Sequence, residues 1–103
     1  MKRWDVVITQ SSEVDLNHIH TYIADVLHEP AIALKQVSRI RKAIFSLCEM
    51  PERYPVYVRD FRRMNVGNYA VFYQVRPQAE LVSVIAVIYG ARDIDSVLEE
   101  KFD

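Results

Sequence analysis

The chain has 103 residues, of which 50% are hydrophobic and 26% charged, and its formal net charge is −1. That size and balance give one domain, residues 1–103, with a single core, and exclude a disordered chain. They also exclude the strongly basic overall field that usually accompanies a nucleic-acid binder.

Trp4 to Thr9 is rich in β-branched residues and predicts a strand. Ser12, three before Asp15, gives a helix-start signal. Leu16, Ile19, Ile23, Val26 and Leu27 follow at helical steps, and His28-Glu29-Pro30 ends the run because a residue before proline avoids the helical region. Pro30 suits the first turn of a second helix, whose apolar stripe reads Leu34, Val37, Ile40, Ile44, Leu47 and Cys48. Its opposite face carries Lys35, Arg39 and Lys42. The short connection predicts an antiparallel helical hairpin.

After the loop Pro51 to Pro55 the hydrophobic period changes to two. Phe61 to Val66 predicts a strand, Gly67-Asn68 a tight hairpin turn, and Tyr69 to Arg76 its partner. On that partner Val71, Tyr73 and Val75 share one face, and Ala70, Phe72 and Gln74 the other. Leu81 to Tyr89 is apolar on both faces, as in a central strand. Asp93 or Asp95 can cap a last short helix. The expected fold is α+β, with order β-α-α-β-β-β(-α): an antiparallel sheet with the helical hairpin on one face.

Nine near-continuous apolar residues, Leu81 to Tyr89, are far short of a membrane span of about 20. The N-terminal apolar run is too short for a signal peptide. The single cysteine, Cys48, excludes an internal disulfide and agrees with a reducing compartment, so a cytoplasmic protein without membrane association is expected. Two glycines, Gly67 and Gly90, exclude a glycine-rich phosphate loop.

Residues 35–63 hold eight basic and three acidic side chains. The remainder is acidic. Such a basic middle is either a solvated face or a docking surface for an anionic partner. His18 and His20 stand two apart on a helix and cannot share a metal, so no metal site or cofactor is expected. Cys48 reads as a structural thiol. What remains is a set of arginines and tyrosines on the strand half: Arg59, Arg62, Arg63, Arg76 and Arg92 with Tyr54, Tyr57, Tyr69, Tyr73 and Tyr89. Guanidinium forks grip phosphate and aromatic faces stack on bases. Alternatively the tyrosines fill the edge of the core and the arginines snorkel over it. Arg62 and Arg63 are neighbours on a strand, so only one can face a concave side of the sheet.

The ordered set Trp4-Asp5-Val6-Val7-Ile8-Thr9, Asp15-Leu16, Ile19-His20-Thr21-Tyr22-Ile23-Ala24, Arg62-Arg63-Met64-Asn65-Val66-Gly67-Asn68-Tyr69-Ala70-Val71-Phe72-Tyr73 and Tyr89-Gly90-Ala91-Arg92-Asp93 resembles the RelE/ParE superfamily over nearly the whole chain. The resemblance implies the toxin half of a type II toxin–antitoxin pair, with a protein antitoxin as partner and a homo-oligomer or toxin–antitoxin hetero-oligomer as its assembly. Members of one branch cleave mRNA on the ribosome without a metal. Members of another bind DNA gyrase and are not nucleases.

Ribosome-dependent mRNA cleavage is the leading expectation. It makes Arg63 and Arg92 the candidate catalytic residues, since cleavage by the 2′-hydroxyl needs positive charge around the phosphate. Arg59 and Arg62 would help to bind the phosphates, and Tyr73 and Tyr89 would position a base. Two family positions depart from that pattern. Ala70 stands where a catalytic arginine is common, and Leu98 falls near a C-terminal tyrosine that moves a proton. The alternatives are a non-enzymatic gyrase poison of the ParE type and an inactive antitoxin-binding module.

Overall fold

The computed structural model describes residues 3–102. Strand β1 (Asp5–Ile8) leads into helix α1 (Gln10–Thr21), which continues as a π-helical turn, Tyr22–Val26. Helix α2 (Pro30–Phe45) returns antiparallel to it. The chain then forms β2 (Val56–Val58), β3 (Phe61–Val66), β4 (Tyr69–Arg76), β5 (Leu81–Tyr89) and helix α3 (Ile94–Phe102). One five-stranded sheet results, in the order β1-β5-β4-β3-β2.

Two features extend the sequence reading of the sheet. β1 pairs parallel with β5, Asp5 opposite Leu81 and Ile8 opposite Val84, while every other pair is antiparallel. The helical hairpin carries the chain from β1 at one edge of the sheet to β2 at the other, and β3, β4 and β5 then bring the last strand back beside the first in the same direction. The second feature is β2, a three-residue edge strand. Val56-Tyr57-Val58 is short and β-branched, and Arg59, at φ 55, turns it back into β3.

The hairpin packs on one face of the sheet. Leu16, Ile40, Ile44 and Leu47 form a core with Met64, Val66, Val71, Tyr73, Val82, Val84 and Val87. Helix α3 covers the other face, where Ile94 and Leu98 meet Ala70, Phe72, Ala86 and Ile88. The period-two faces expected for β4 are therefore both buried. In β5 the parity changes. Val82 and Val84 face the hairpin, but so does Val87 rather than Ala86. The cause is a β-bulge: Phe72 pairs with Ala86 and Tyr73 with Val84, leaving Ile85 unpaired.

The start of α1 fastens this bulge. Thr9, not Ser12, is the N-cap, its side chain accepting the Ser12 N–H. Thr9 also donates to the Val84 carbonyl from its N–H at 3.1 Å and from its hydroxyl at 2.8 Å. The buried Ser12 hydroxyl lies 2.9 Å from that same oxygen. One turn on, the Asp15 carboxylate accepts the Val87 N–H at 3.0 Å and the Lys101 ammonium of α3 at 2.9 Å. Three residues at three-residue spacing thus join α1, the bulged strand and α3.

The apolar stripes of the hairpin hold with two corrections. Leu34 is 65% exposed, and Ala33 occupies the inward position instead. The burying series is 33, 37, 40, 44 and 47, so Leu34 points about one residue's rotation away. Val26 and Leu27, expected in the core, are 58% and 50% exposed. The π turn explains this: the Leu27 N–H reaches back to Tyr22 O at 3.1 Å, and the widened turn carries the residues after Ile23 away from the sheet. Arg41 and Glu13 brace the two helices by two parallel bonds of 2.8 Å, and the guanidinium holds the Glu13 carboxyl below the usual carboxylate range. Asp93 is the residue that caps α3, its carboxylate accepting from the Ser96 hydroxyl at 2.8 Å.

Replacing Asp15 by Ala leaves the Val87 N–H and the Lys101 ammonium without their shared acceptor. The expected cost is about 2 kcal/mol, the desolvation cost of orphaned partly buried donors. It is read as a lower urea midpoint with an unchanged slope. Faster amide exchange is expected in α3 and at Val87.

Candidate functional site

The sheet end formed by the β3–β4 turn and the C-terminus of β5 gathers part of the arginine and tyrosine set, with Arg63, Arg92, Tyr69 and Tyr89 lining its cavities. Gly67 makes the turn, with φ +58, a backbone angle that side chains with a Cβ strain to adopt. Gly90 donates to Asn68 O at 2.8 Å, and a Cβ on it would stand 3.1 Å from that oxygen. These two close approaches bring Tyr69 of β4 beside Tyr89 of β5, ring centroids 5.6 Å apart and tilted by 57°.

The tyrosine pair separates two cavities. A shallow one of about 280 Å³ holds Arg63 and Asn65. A larger one of about 940 Å³ lies between the hairpin and the sheet end and holds Arg39 and Arg92. Tyr69, Tyr89, Gly67 and Asn68 line both.

Arg63 is the arginine of its strand pair that faces α3. Its guanidinium carbon stands 5.3 Å from the Tyr57 ring centroid and 5.8 Å from that of Phe72. Its Nε donates to Asn65 Oδ1 at 2.9 Å. Tyr57 in turn donates its hydroxyl to Asp95 of α3 at 3.0 Å, a bond that raises its pKa above the ordinary tyrosine range. Tyr69 is raised as well, by burial. Arg63 is thus held as a planar cation over aromatic faces, positioned to receive an anion.

The other candidates do not converge on it. Arg92 follows β5 and lines the larger cavity, on the far side of the tyrosine pair. Arg62 points away from Arg63, donating to the carbonyls of Glu52 at 3.0 Å and Tyr54 at 2.5 Å, so it holds the loop before β2. Arg59 is exposed in the β2–β3 turn. Tyr73 is corrected from a base-positioning residue to a core residue: it is fully buried, on the hairpin face, and donates to Pro51 O at 2.5 Å. Burial pushes its hydroxyl up to about 12. Tyr89 is 46% exposed and open to a ligand. Arg39 and Asn65 were missed by sequence reasoning. Their signal was indirect: Asn65 lies two residues from Arg63 on a strand, and Arg39 is the α2 residue that reaches the β3–β4 turn.

Among the described residues, no group of three or more histidine, cysteine or acidic side chains gathers to hold a metal. Among those residues, no helix is long and apolar enough to cross a membrane. The decisive observation comes from the sequence as a whole: residues 6–94 match the family profile described as the ParE toxin of type II toxin–antitoxin systems, parDE. The chain belongs to the ParE toxin family. It is a toxin of a type II toxin–antitoxin system.

Solved structures carry the same fold. The toxin resembles a chain of the chromosomal ParDE system from P. aeruginosa with a TM-score of 0.75 at 18% identity, over 84% of this chain and 96% of that one. For a chain of the RelBE2 toxin–antitoxin complex from Mycobacterium tuberculosis the score is 0.66 at 18% identity, over 89% and 97%. For a mutant E. coli RelE toxin in the free state it is 0.67 at 13% identity, over 97% and 95%. No curated protein matches in sequence.

Tyr73→Phe removes the bond to Pro51 while keeping the packing, at an expected cost of about 1 kcal/mol. Because the folded-state pKa lies above the ordinary value near 10, this tyrosine's contribution is complete below about pH 10 and is lost as pH rises through about 12. An alkaline unfolding series should therefore show the variant losing less stability than the parent over that window.

Proposed function

We propose that the toxin arrests growth by binding DNA gyrase, as a ParE-type poison with no bond-breaking step of its own. One observation carries this reading. Ala70 and Leu98, at the positions where RNA-cleaving relatives are expected to place an arginine and a tyrosine, are fully buried and 1% exposed, and both pack between the sheet and α3. A nuclease centre there needs a cation and a titratable group within reach of one phosphate. Neither side chain can serve. Arg63 and Arg92, the remaining candidates, line separate cavities. The family match to ParE agrees.

A binding mode also needs a surface. Val26, Leu34 and Phe45 on the hairpin are each more than half exposed. Such exposed side chains are where a large partner would make apolar contact.

The second reading is ribosome-dependent mRNA cleavage. What favours it is Arg63 itself, held over Tyr57 and Phe72 beside the exposed Tyr89. A guanidinium next to a free aromatic face is a fitting seat for one nucleotide.

Induction of the toxin without its antitoxin, with thymidine and amino-acid incorporation followed over the first minutes, separates the two. Gyrase binding is expected to stop DNA synthesis first. Purified toxin should then inhibit supercoiling, and Arg63→Ala should still inhibit. Early collapse of protein synthesis, with activity reduced about 100-fold or more by Arg63→Ala in a folded variant, would establish cleavage instead.

A further inference from the structure

We infer that the outward stripe of α2 is the surface by which the toxin grips its protein target, and that it takes an acidic amphipathic helix of that target. The inference rests on the reading that the toxin acts by binding rather than by cleavage, and it names the chemistry of the contact.

Helix α2 is patterned on two sides. Ala33, Ile40 and Ile44 turn inward and are fully buried. A second series, Leu34, Ser38, Arg41 and Phe45, runs along the outward side at steps of four, three and four, the spacing of a heptad seam. Leu34 is 65% exposed and Phe45 51%. By the rise of a helix they stand about 16 Å apart. Ser38, small and exposed, lies between them and leaves room for a second backbone to approach. The Arg41 guanidinium is drawn aside onto Glu13 of α1, so it does not cover the seam.

The charge of the helix is one-sided. It carries Lys35, Arg39, Arg41 and Lys42, and no acidic residue between Pro30 and Phe45. Arg41 is neutralised by Glu13, and Arg39 lines the large cavity. Lys35 and Lys42 are exposed, and among the described residues neither ammonium has a hydrogen bond or an ion pair. They flank the seam on one side. Seven residues separate them, about 10 Å along the axis. Carboxylates one heptad apart on a facing helix would meet both.

The two halves of this pattern select one occupant. Nucleic acid phosphates would satisfy the lysines but leave Leu34 and Phe45 against water. A second copy of the chain would bring the same unpaired ammonium groups against each other. A helix with a four–three apolar seam and an acidic flank satisfies both the lysines and the apolar pair. Leu34 and Phe45 would then hold the complex, and the lysines would steer its formation.

The test uses the full chain and purified gyrase holoenzyme. Binding is followed by biolayer interferometry, and lysine exposure by acetylation footprinting with mass spectrometry. In the unsubstituted toxin, gyrase should protect Lys35 and Lys42 from acetylation. Zero-length carbodiimide coupling should join them to carboxylates seven residues apart in one helix of the enzyme. Leu34→Ser/Phe45→Ser should weaken binding about 100-fold, mainly by faster dissociation. Lys35→Glu/Lys42→Glu should slow association about tenfold, and added salt should slow the parent in the same direction. Val14→Ser, an exposed apolar change on α1, should bind as the parent does.

Folded double variants that bind gyrase like the parent would overturn the inference, as would lysines left reactive in the complex. Protection of both lysines by ribosomes rather than by gyrase would give this face to RNA and overturn it too. If the parent leaves gyrase unbound, the gyrase reading falls and growth arrest on induction decides this inference. Arrest lost in both folded double variants and kept in Val14→Ser supports the α2 surface with another target. Arrest kept in both overturns it. A parent that neither binds gyrase nor arrests growth overturns both readings.

Discussion

The Val84 carbonyl accepts the N–H and hydroxyl of Thr9, with the Ser12 hydroxyl at the same distance as an ordinary hydrogen bond. The next residue, Ile85, is left out of the ladder. A bulge at this point would otherwise expose backbone groups on a strand buried on both faces. The start of α1 supplies the missing donors, and Asp15 supplies the missing acceptor one turn later. Because the bulge resets the parity of β5, it brings Ala86 and Ile88 beneath α3 and Val87 beneath the hairpin. The three-layer arrangement therefore depends on a turn of helix that contributes little apolar area itself.

The same fastening positions the candidate site. β1 ends at Ile8, so the C-terminal half of β5 has α1 rather than a strand beside it. The large cavity opens where that strand is missing. Asp15 and the tyrosine pair both line it.

Periodicity carried much of this fold in the sequence. The hairpin, the Gly67-Asn68 turn, both faces of β4 and the interior position of β5 follow from spacing and turn chemistry alone. The parts that did not are those where one residue is added. Ile85 in β5 and the widened turn at Tyr22 both shift the register without changing the composition, so a pattern count passes over them. Tyr73 was misread for a related reason. Its face was known, but which of the two faces would be sealed by the hairpin depends on packing between elements distant in sequence. Arg39 was hidden because its neighbour is Gly67, nearly thirty residues away by the numbering.

The basic middle of the sequence is not one surface in space. Arg41 is spent on Glu13, Arg53 lies 4.9 Å above the Tyr54 ring, and Arg62 holds loop carbonyls. These groups strengthen the fold. Arg39, Arg63 and Arg92 are set apart from them by position, around the Tyr69–Tyr89 pair. The π turn belongs with this second group. A regular helix would have kept Val26 and Leu27 on the buried stripe, where a side chain of that size contributes about 1.5–3 kcal/mol. The chain forgoes that burial at the same end of the hairpin where two guanidinium groups lack acids. Free apolar surface and free positive charge at one mouth are what a small domain would shed if folding alone set its sequence.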